Sequence, residues 1–143
     1  MTAIREATLA DIEGIHLVSS YLGYKASPEE ESQKHLEEIL ASDCHIVWIY
    51  AEENKIKGWL HLFTAVRLAS PKFAEIGGLV VDKSCRGSGI GGKLVGKAIQ
   101  WSKQNELSLR VRCNSEREDA NKFYESLGFK SKKLQKVHEL FFS

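Results

Sequence analysis

Apolar and polar residues alternate along this chain with two periods, and the changes of period mark out its elements. Ala3–Glu6 reads as a short first strand. Thr8 and Asp11 form a capping-box-like pair opening a helix with Ile12, Ile15 and Leu22 on its apolar side. Ser27-Pro28-Glu29-Glu30 signals a second helix, with Ser27 at the N-cap, Pro at the first helical position and Glu at the third. Leu36, Ile39 and Leu40 form its inner face, and it should stop near Ser42-Asp43. His45–Ala51 and Lys57–Thr64 are β-rich, and Glu52–Lys55 between them predicts a hairpin with a four- or five-residue turn.

Phe73–Val81 is a third long strand, interrupted by Gly77-Gly78, which marks a bulge or a close backbone approach. A glycine-rich loop then leads into a helix running to about Asn105, with Ile90, Leu94, Ala98 and Trp101 on one face. Leu107–Cys113 alternates as a strand. Ser115 and Glu118 suggest another capping box, opening a helix with Ala120, Phe123, Tyr124 and Leu127 that Gly128 ends. Phe129–Lys132 and Val137–Phe142 are expected as a closing pair of strands. The order is that of a mixed α/β domain.

Composition narrows the class. The 143 residues (1–143) suit one domain able to bury a core without staples. A formal net charge of +1 argues against a nucleic-acid binder that relies on overall basicity. Cys44, Cys85 and Cys113 lack metal-ligand spacing and fit free thiols in a reducing compartment. No apolar run approaches the ~20 residues that cross a bilayer, and no signal peptide is evident. The expectation is a cytoplasmic protein with no nucleic-acid or membrane partner and no metal.

The candidate chemistry lies in Leu79–Leu94: an apolar strand, Arg86, then Gly87, Gly89, Gly91 and Gly92 at a helix start. Backbone N–H groups at such a loop, a helix N-terminus and an arginine together suit an anion such as a phosphate. Gly87-x-Gly89-x-x-Gly92 matches a dinucleotide fingerprint, but five residues separate strand from glycine, and the next strand ends in Arg112-Cys113-Asn114 rather than an acid. Gly87-x-x-x-x-Gly92-Lys93 resembles a nucleotide P-loop, but Leu94 stands where a hydroxyl must hold Mg²⁺.

A third pattern, Arg86-x-x-Gly89-x-Gly91, is the pyrophosphate loop of the GCN5-related N-acetyltransferase (GNAT) superfamily. Asn114 to Phe129 resembles that family's second hallmark, N..R..A..FYE.LGF, at the expected separation. The resemblance spans nearly the whole chain and implies the acyl-CoA N-acyltransferase fold, an α/β fold whose mixed, centrally splayed sheet is flanked by helices. It also implies that acetyl-CoA donates an acetyl group to a primary amine, without a metal.

Carried over residue by residue, Leu79, Val80 and Val81 would present backbone to the pantetheine arm, and the Gly77-Gly78 bulge would splay this strand from the next. Arg86, Gly87, Ser88, Gly89, Ile90, Gly91, Gly92 and Lys93 would wrap the pyrophosphate, and Asn114 would hydrogen-bond the cofactor arm. The amine attacks the thioester carbonyl directly, a backbone N–H near Val80 or Val81 holds the oxyanion, and Tyr124 protonates the departing sulfur. Glu75 stands where one branch of the family keeps a general base, whereas many relatives use ordered water.

Blander roles compete with these. Tyr124 could be core, Asn114 an N-cap, Glu75 a solvated edge residue and Cys85 a bystander; the five histidines read as solvent or core residues, and Trp48 and Trp59 as core or acceptor-pocket walls. The other function class is a catalytically silent acyl-CoA-binding module on the same fold. A small-molecule amine or a protein amine fits as acceptor, with selectivity expected from Tyr21–Glu31, the hairpin and Arg67–Lys72. The apolar tail Leu140-Phe141-Phe142 leaves a homodimer open.

Overall fold

The computed structural model describes residues 3–20 and 28–142. These separate into two compact units, the first ending at Val111 and the second beginning at Arg112. In chain order the first contains β1 (Ile4–Glu6), α1 (Ile12–Ser19), α2 (Glu29–Leu40), β2 (His45–Glu52), β3 (Lys55–Arg67), β4 (Ser70–Val81), α3 (Ile90–Gln104) and β5 (Ser108–Val111). The strands form one sheet in sequence order, antiparallel except for the parallel pair β4–β5. Among the described residues no helix is long and apolar enough to cross a membrane.

Alternation along the strands builds a core on each face. On one face Val47 and Ile49 pack with Ala7 and Leu36, joined by Ile12, Ile15, Ile39 and Trp59 from α1, α2 and β3. On the other, Leu60 and Leu62 are fully buried, as are Leu94, Val95 and Ala98 of α3. Gly58 brings α3 close: a Cβ there would stand 2.9 Å from the Val80 carbonyl oxygen and 3.2 Å from Ile90 and Leu94. On α3 the buried inner position is Ser102 rather than Trp101, which is half-buried. Leu40 of α2 is exposed, so Leu36 and Ile39 alone carry that helix's inner face. α2 starts at Glu29 with Pro28 at the N-cap position, one residue later than expected, while Ser27 and Leu22 lie outside the described residues.

Both meander turns are tighter than the sequence suggests. β2 and β3 join through Glu53-Asn54 alone, with Glu52 opposite Lys55 and φ of 51° and 64° at the two turn residues. Positive φ at both positions is the primed-turn geometry that matches strand twist, adopted here without glycine. The β3–β4 turn is Leu68-Ala69, with Arg67 opposite Ser70, so Arg67–Lys72 is mostly strand rather than an open loop. Gly77 is the bulge: His61 pairs with Gly78 and Leu62 with Ile76, which leaves Gly77 as the extra residue of β4.

The second unit contains α4 (Glu118–Ser126). Ser115 does not cap it; Arg117 occupies the N-cap position, and the Asn114 side chain accepts from the Glu116 N–H at 2.9 Å to turn the chain into the helix. Gly128, at φ 100°, ends it in a Schellman motif: its N–H donates to the Glu125 carbonyl and that of Phe129 to the Tyr124 carbonyl. The two closing strands do not form. Residues 129–142 join no ladder, and Leu134, Val137, Leu140, Phe141 and Phe142 are exposed. Local alternation suggests a strand, but a strand exists only where a neighbour accepts its hydrogen bonds.

The entry into α1 depends on Asp11, which is buried. Its carboxylate accepts from Nη1 and Nη2 of Arg5, each at 2.8 Å, and from the Thr8 N–H at 2.8 Å, and these contacts hold its pKa below the usual carboxylate range. Asp11→Ala removes a cap and strands the arginine, so we expect a loss of about 1–2 kcal/mol of stability, read as a lower urea midpoint with unchanged slope.

Candidate active site

The loop between β4 and α3 begins with an Asp82 side chain that accepts from the Ser84 N–H at 2.9 Å and fixes a single 3₁₀ turn, Lys83–Cys85. The chain then passes Arg86 to Gly89, all exposed. Gly87 and Gly89 have φ of 86° and 87°, a left-handed conformation costly to any residue with a Cβ, and a Cβ at either would meet nothing within 4 Å. Gly89 is the N-cap of α3, so the helix offers its first free N–H groups to this open concavity. No acid stands in the first turn of α3; Arg86 is exposed in the loop, while Lys93 Nζ lies 5.7 Å over the Tyr50 ring. Backbone donors, a positive helix end and space form a cradle that fits a pyrophosphate.

β4 connects the cradle to the sheet. Its ladder with β5 runs from Phe73–Ser108 to Ile76–Val111 and stops at the bulge, whereas the ladder with β3 continues to Val81. Gly78 to Val81 therefore have a strand partner on the β3 side only, and Gly77 has none on either side. Leu79 and Val81 are half-buried and Val80 is buried. Glu75 is not an edge residue: it is 7% exposed in an inner strand, opposite Phe63 of β3 and in register with Arg110 of β5. Arg110 lies 3.9 Å over the Phe73 ring, with Arg67 at 5.1 Å.

Beside the bulge, between α1, α2 and the sheet, a cavity opens. Ile12, Ile15, Leu36, Ile39, Val47 and Trp59 make it mostly apolar; Ser19, Ser32, His35 and His61 supply its polar groups. The Trp59 indole N–H donates to Ser19 Oγ at 3.0 Å and holds that ring against the wall. Of the region expected to select the acceptor, residues 21–27 lie outside the described residues.

Two of the histidines, which the sequence offers only as separate solvent or core residues, form a pair in the fold. His45 Nδ1 and His61 Nε2 are 2.8 Å apart, with their rings stacked at 5.1 Å and Phe63 next to both. One nitrogen of that contact carries the proton and the other accepts it. Burial, with the neighbouring His45 adding to it, lowers the His61 pKa from 6.5 to about 4. The register contained the signal: Val47 lies opposite His61 and Phe63 opposite His45, so the two histidines share a face diagonally.

The second unit holds Asn114 and Tyr124. The Asn114 side-chain oxygen is committed to its turn and its backbone carbonyl accepts from Asn121, leaving the amide NH₂ as the group it can offer a ligand. Tyr124 is half-buried and packs edge-on against Phe123 and Phe129, with ring centroids at 5.1 and 5.6 Å. Burial raises its pKa, as does the neighbouring Cys113, while Arg117 opposes them. The phenol therefore keeps its proton through neutral pH.

The depressed His61 pKa has a thermodynamic consequence. Its unfolded state binds a proton near pH 6.5, the folded state only near 4, so stability present above 6.5 is lost as pH falls toward 4. Asp11 and Asp82, whose values are lowered from 3.8, act below that window. We expect the urea midpoint to drop between pH 7 and pH 5, and His61→Gln to flatten that drop.

The sequence matches the model of the acetyltransferase (GNAT) family over residues 11–129. Among solved structures it is similar to a Bacillus halodurans protein described as a transcriptional regulator, with 28% identity and a TM-score of 0.82, covering 95% of this chain and 98% of that one. It is also similar to glucosamine-6-phosphate N-acetyltransferase from Arabidopsis thaliana, with 25% identity and a TM-score of 0.80, covering 96% and 97%. An aminoglycoside N-acetyltransferase in complex with CoA shares the fold at 18% identity, with a TM-score of 0.84 and coverage of 96% and 93%. No curated protein matches the sequence closely enough to count as a relative. With the family model covering most of its length, and with the mixed five-stranded sheet of that fold, this chain belongs to the GNAT acetyltransferase family.

Proposed function

We propose that the protein is a cytoplasmic enzyme that transfers an acetyl group from acetyl-CoA to a primary amine. The observation that carries this reading is the strand edge from Gly77 to Val81, unpaired toward β5 and leading directly into the glycine cradle. Such an edge offers backbone N–H and C=O groups to an extended amide chain, as another strand would. Leu79, Val80 and Val81 would hold the pantetheine arm, and Arg86 through Lys93 would hold the pyrophosphate by backbone donors and positive charge. When bound, acetyl-CoA supplies an activated acyl carbonyl.

The remaining roles belong to the chain. A backbone N–H of Val80 or Val81 stabilises negative charge on the carbonyl oxygen, and the Asn114 amide orients the cofactor arm. Tyr124, kept protonated by burial, donates to the departing sulfur. The amine must lose a proton, and likeness to one branch of the family nominates Glu75. The acceptor is a small-molecule or protein amine; family membership with an acetyl-CoA cradle supports that class.

Two substitutions test the reading. Gly89→Ala forces a side chain into a left-handed conformation at the cradle, so we expect acetyl-CoA affinity measured by calorimetry to fall about tenfold, with a modest loss of melting temperature. Tyr124→Phe should lower kcat about 100-fold with unchanged acetyl-CoA binding. Binding of acetyl-CoA with no turnover on any amine would identify a silent acyl-CoA module instead.

A further inference from the structure

We propose that His61, backed by His45, takes the proton from the acceptor amine, and that this amine carries an apolar body seated in the cavity between α1, α2 and the sheet. The proposal rests on the acetyltransferase reading and adds the acceptor side of the same site.

Position is the first argument. A Cβ on Gly77 would lie 3.0 Å from His61 Nδ1, so this nitrogen faces the bulge, where β4 and β5 part. Gly77 itself is exposed, and a small nucleophile can reach that point. The other nitrogen, Nε2, is engaged with His45 Nδ1 at 2.8 Å. If His61 donates its Nε2 proton to His45, Nδ1 is left with a free lone pair directed at the bulge. Glu75 is placed less well for this role. It is buried before the bulge, where β4 is still laddered to β5, between the register positions of Phe63 and Arg110.

The proton balance closes within the chain. The ammonium N–H bond breaks, its electron pair stays on nitrogen to bond the acetyl carbon, and His61 Nδ1 takes the proton. The Nε2 proton of His61 then passes to His45 Nδ1, so the charge moves to the second, half-buried ring. The sulfur leaves with the electrons of the broken C–S bond and takes a proton from a separate donor, and the second proton that the nitrogen loses on becoming an amide replaces the one that donor gave up.

The cavity lining selects the acceptor class. Ile15, Leu36, Ile39 and Trp59 dominate it, and among the described residues no carboxylate lines it. Such a surface favours an alkyl or aryl primary amine over a polycation, which would need acids to replace its water. The titratable and charged groups facing His61 are His45 from β2, His35 from α2, which is 4.0 Å from Glu31, and Glu75 of β4 with Arg110 behind it on β5. The lining residues of α1 include no titratable group.

The test uses the full chain, acetyl-CoA, and 2-phenylethylamine and hexylamine as probes, with release of the CoA thiol followed across pH. We expect transfer to at least one probe, and a fall of about 100-fold in kcat/KM for the amine in His61→Gln, with acetyl-CoA affinity retained. In His45→Gln the acid limb of the pH profile should move to higher pH, because the neighbour that helps lower the His61 pKa is gone. A merely structural histidine would leave that limb in place. Gly77→Ala, which crowds Nδ1 without touching either ring's chemistry, should also slow transfer. A wild-type rate in His61→Gln overturns the proposal, and a loss confined to Glu75→Gln returns the role to the carboxylate. Acetyl-CoA binding without transfer to either probe also overturns it and leaves the cofactor reading intact, whereas failure to bind acetyl-CoA removes both.

Discussion

One extra residue in β4 organises the rest of this molecule. At Gly77 the strand accommodates a residue with no partner on β3, and the parallel ladder to β5 ends at the preceding residue. Just before that point β4 is laddered to both β3 and β5, with Phe73, Ala74, Glu75 and Ile76 all buried. Everything on the other side is a strand edge with unspent hydrogen-bonding capacity, leading to a loop of left-handed glycines. A backbone group that cannot pair within the protein has to pair with water or a ligand. The bulge thus leaves part of an inner strand as an open edge without exposing the core beneath it.

The same bulge explains why the neighbouring side chains are small or flat. Gly78 has the Trp59 ring where a Cβ would stand at 2.9 Å, and Gly77 has His61 and Phe63. Aromatic and imidazole rings fill the volume that glycine vacates, and Trp59 is tied to α1 through Ser19. Local backbone irregularity and the composition of the cavity wall are therefore one feature. The histidine pair owes its geometry to a two-residue turn followed by a single register shift at Tyr50–Ala51, which brings Val47 opposite His61.

Much of this could be read from the residues, for identifiable reasons. The long strands, α3 and the cradle carry local signals: period, glycine and a following helix. The bulge was legible because two adjacent glycines inside a strand have few other uses. The turns were not, since Glu53-Asn54 and Leu68-Ala69 lack the glycine that ordinarily announces a tight hairpin; the flanking ladders impose the conformation. The closing strands failed for the opposite reason: residues 129–142 have the alternation but no ladder. Glu75 looked like a solvated edge residue because period two cannot tell a central strand from an outer one. The histidine pair was hidden because it exists only across two strands.

The strand order also bears on how the molecule assembles. β2, β3 and β4 are joined by two-residue turns, so their pairing closes almost no loop. The β4–β5 pair is different: the whole glycine loop and α3 must be spanned before Phe73 meets Ser108. Such non-local pairing is the slow, entropically expensive step of a fold and among the first to reopen. The open edge of β4 therefore begins at the most non-local seam of the sheet, where pairing carries the largest loop-closure cost.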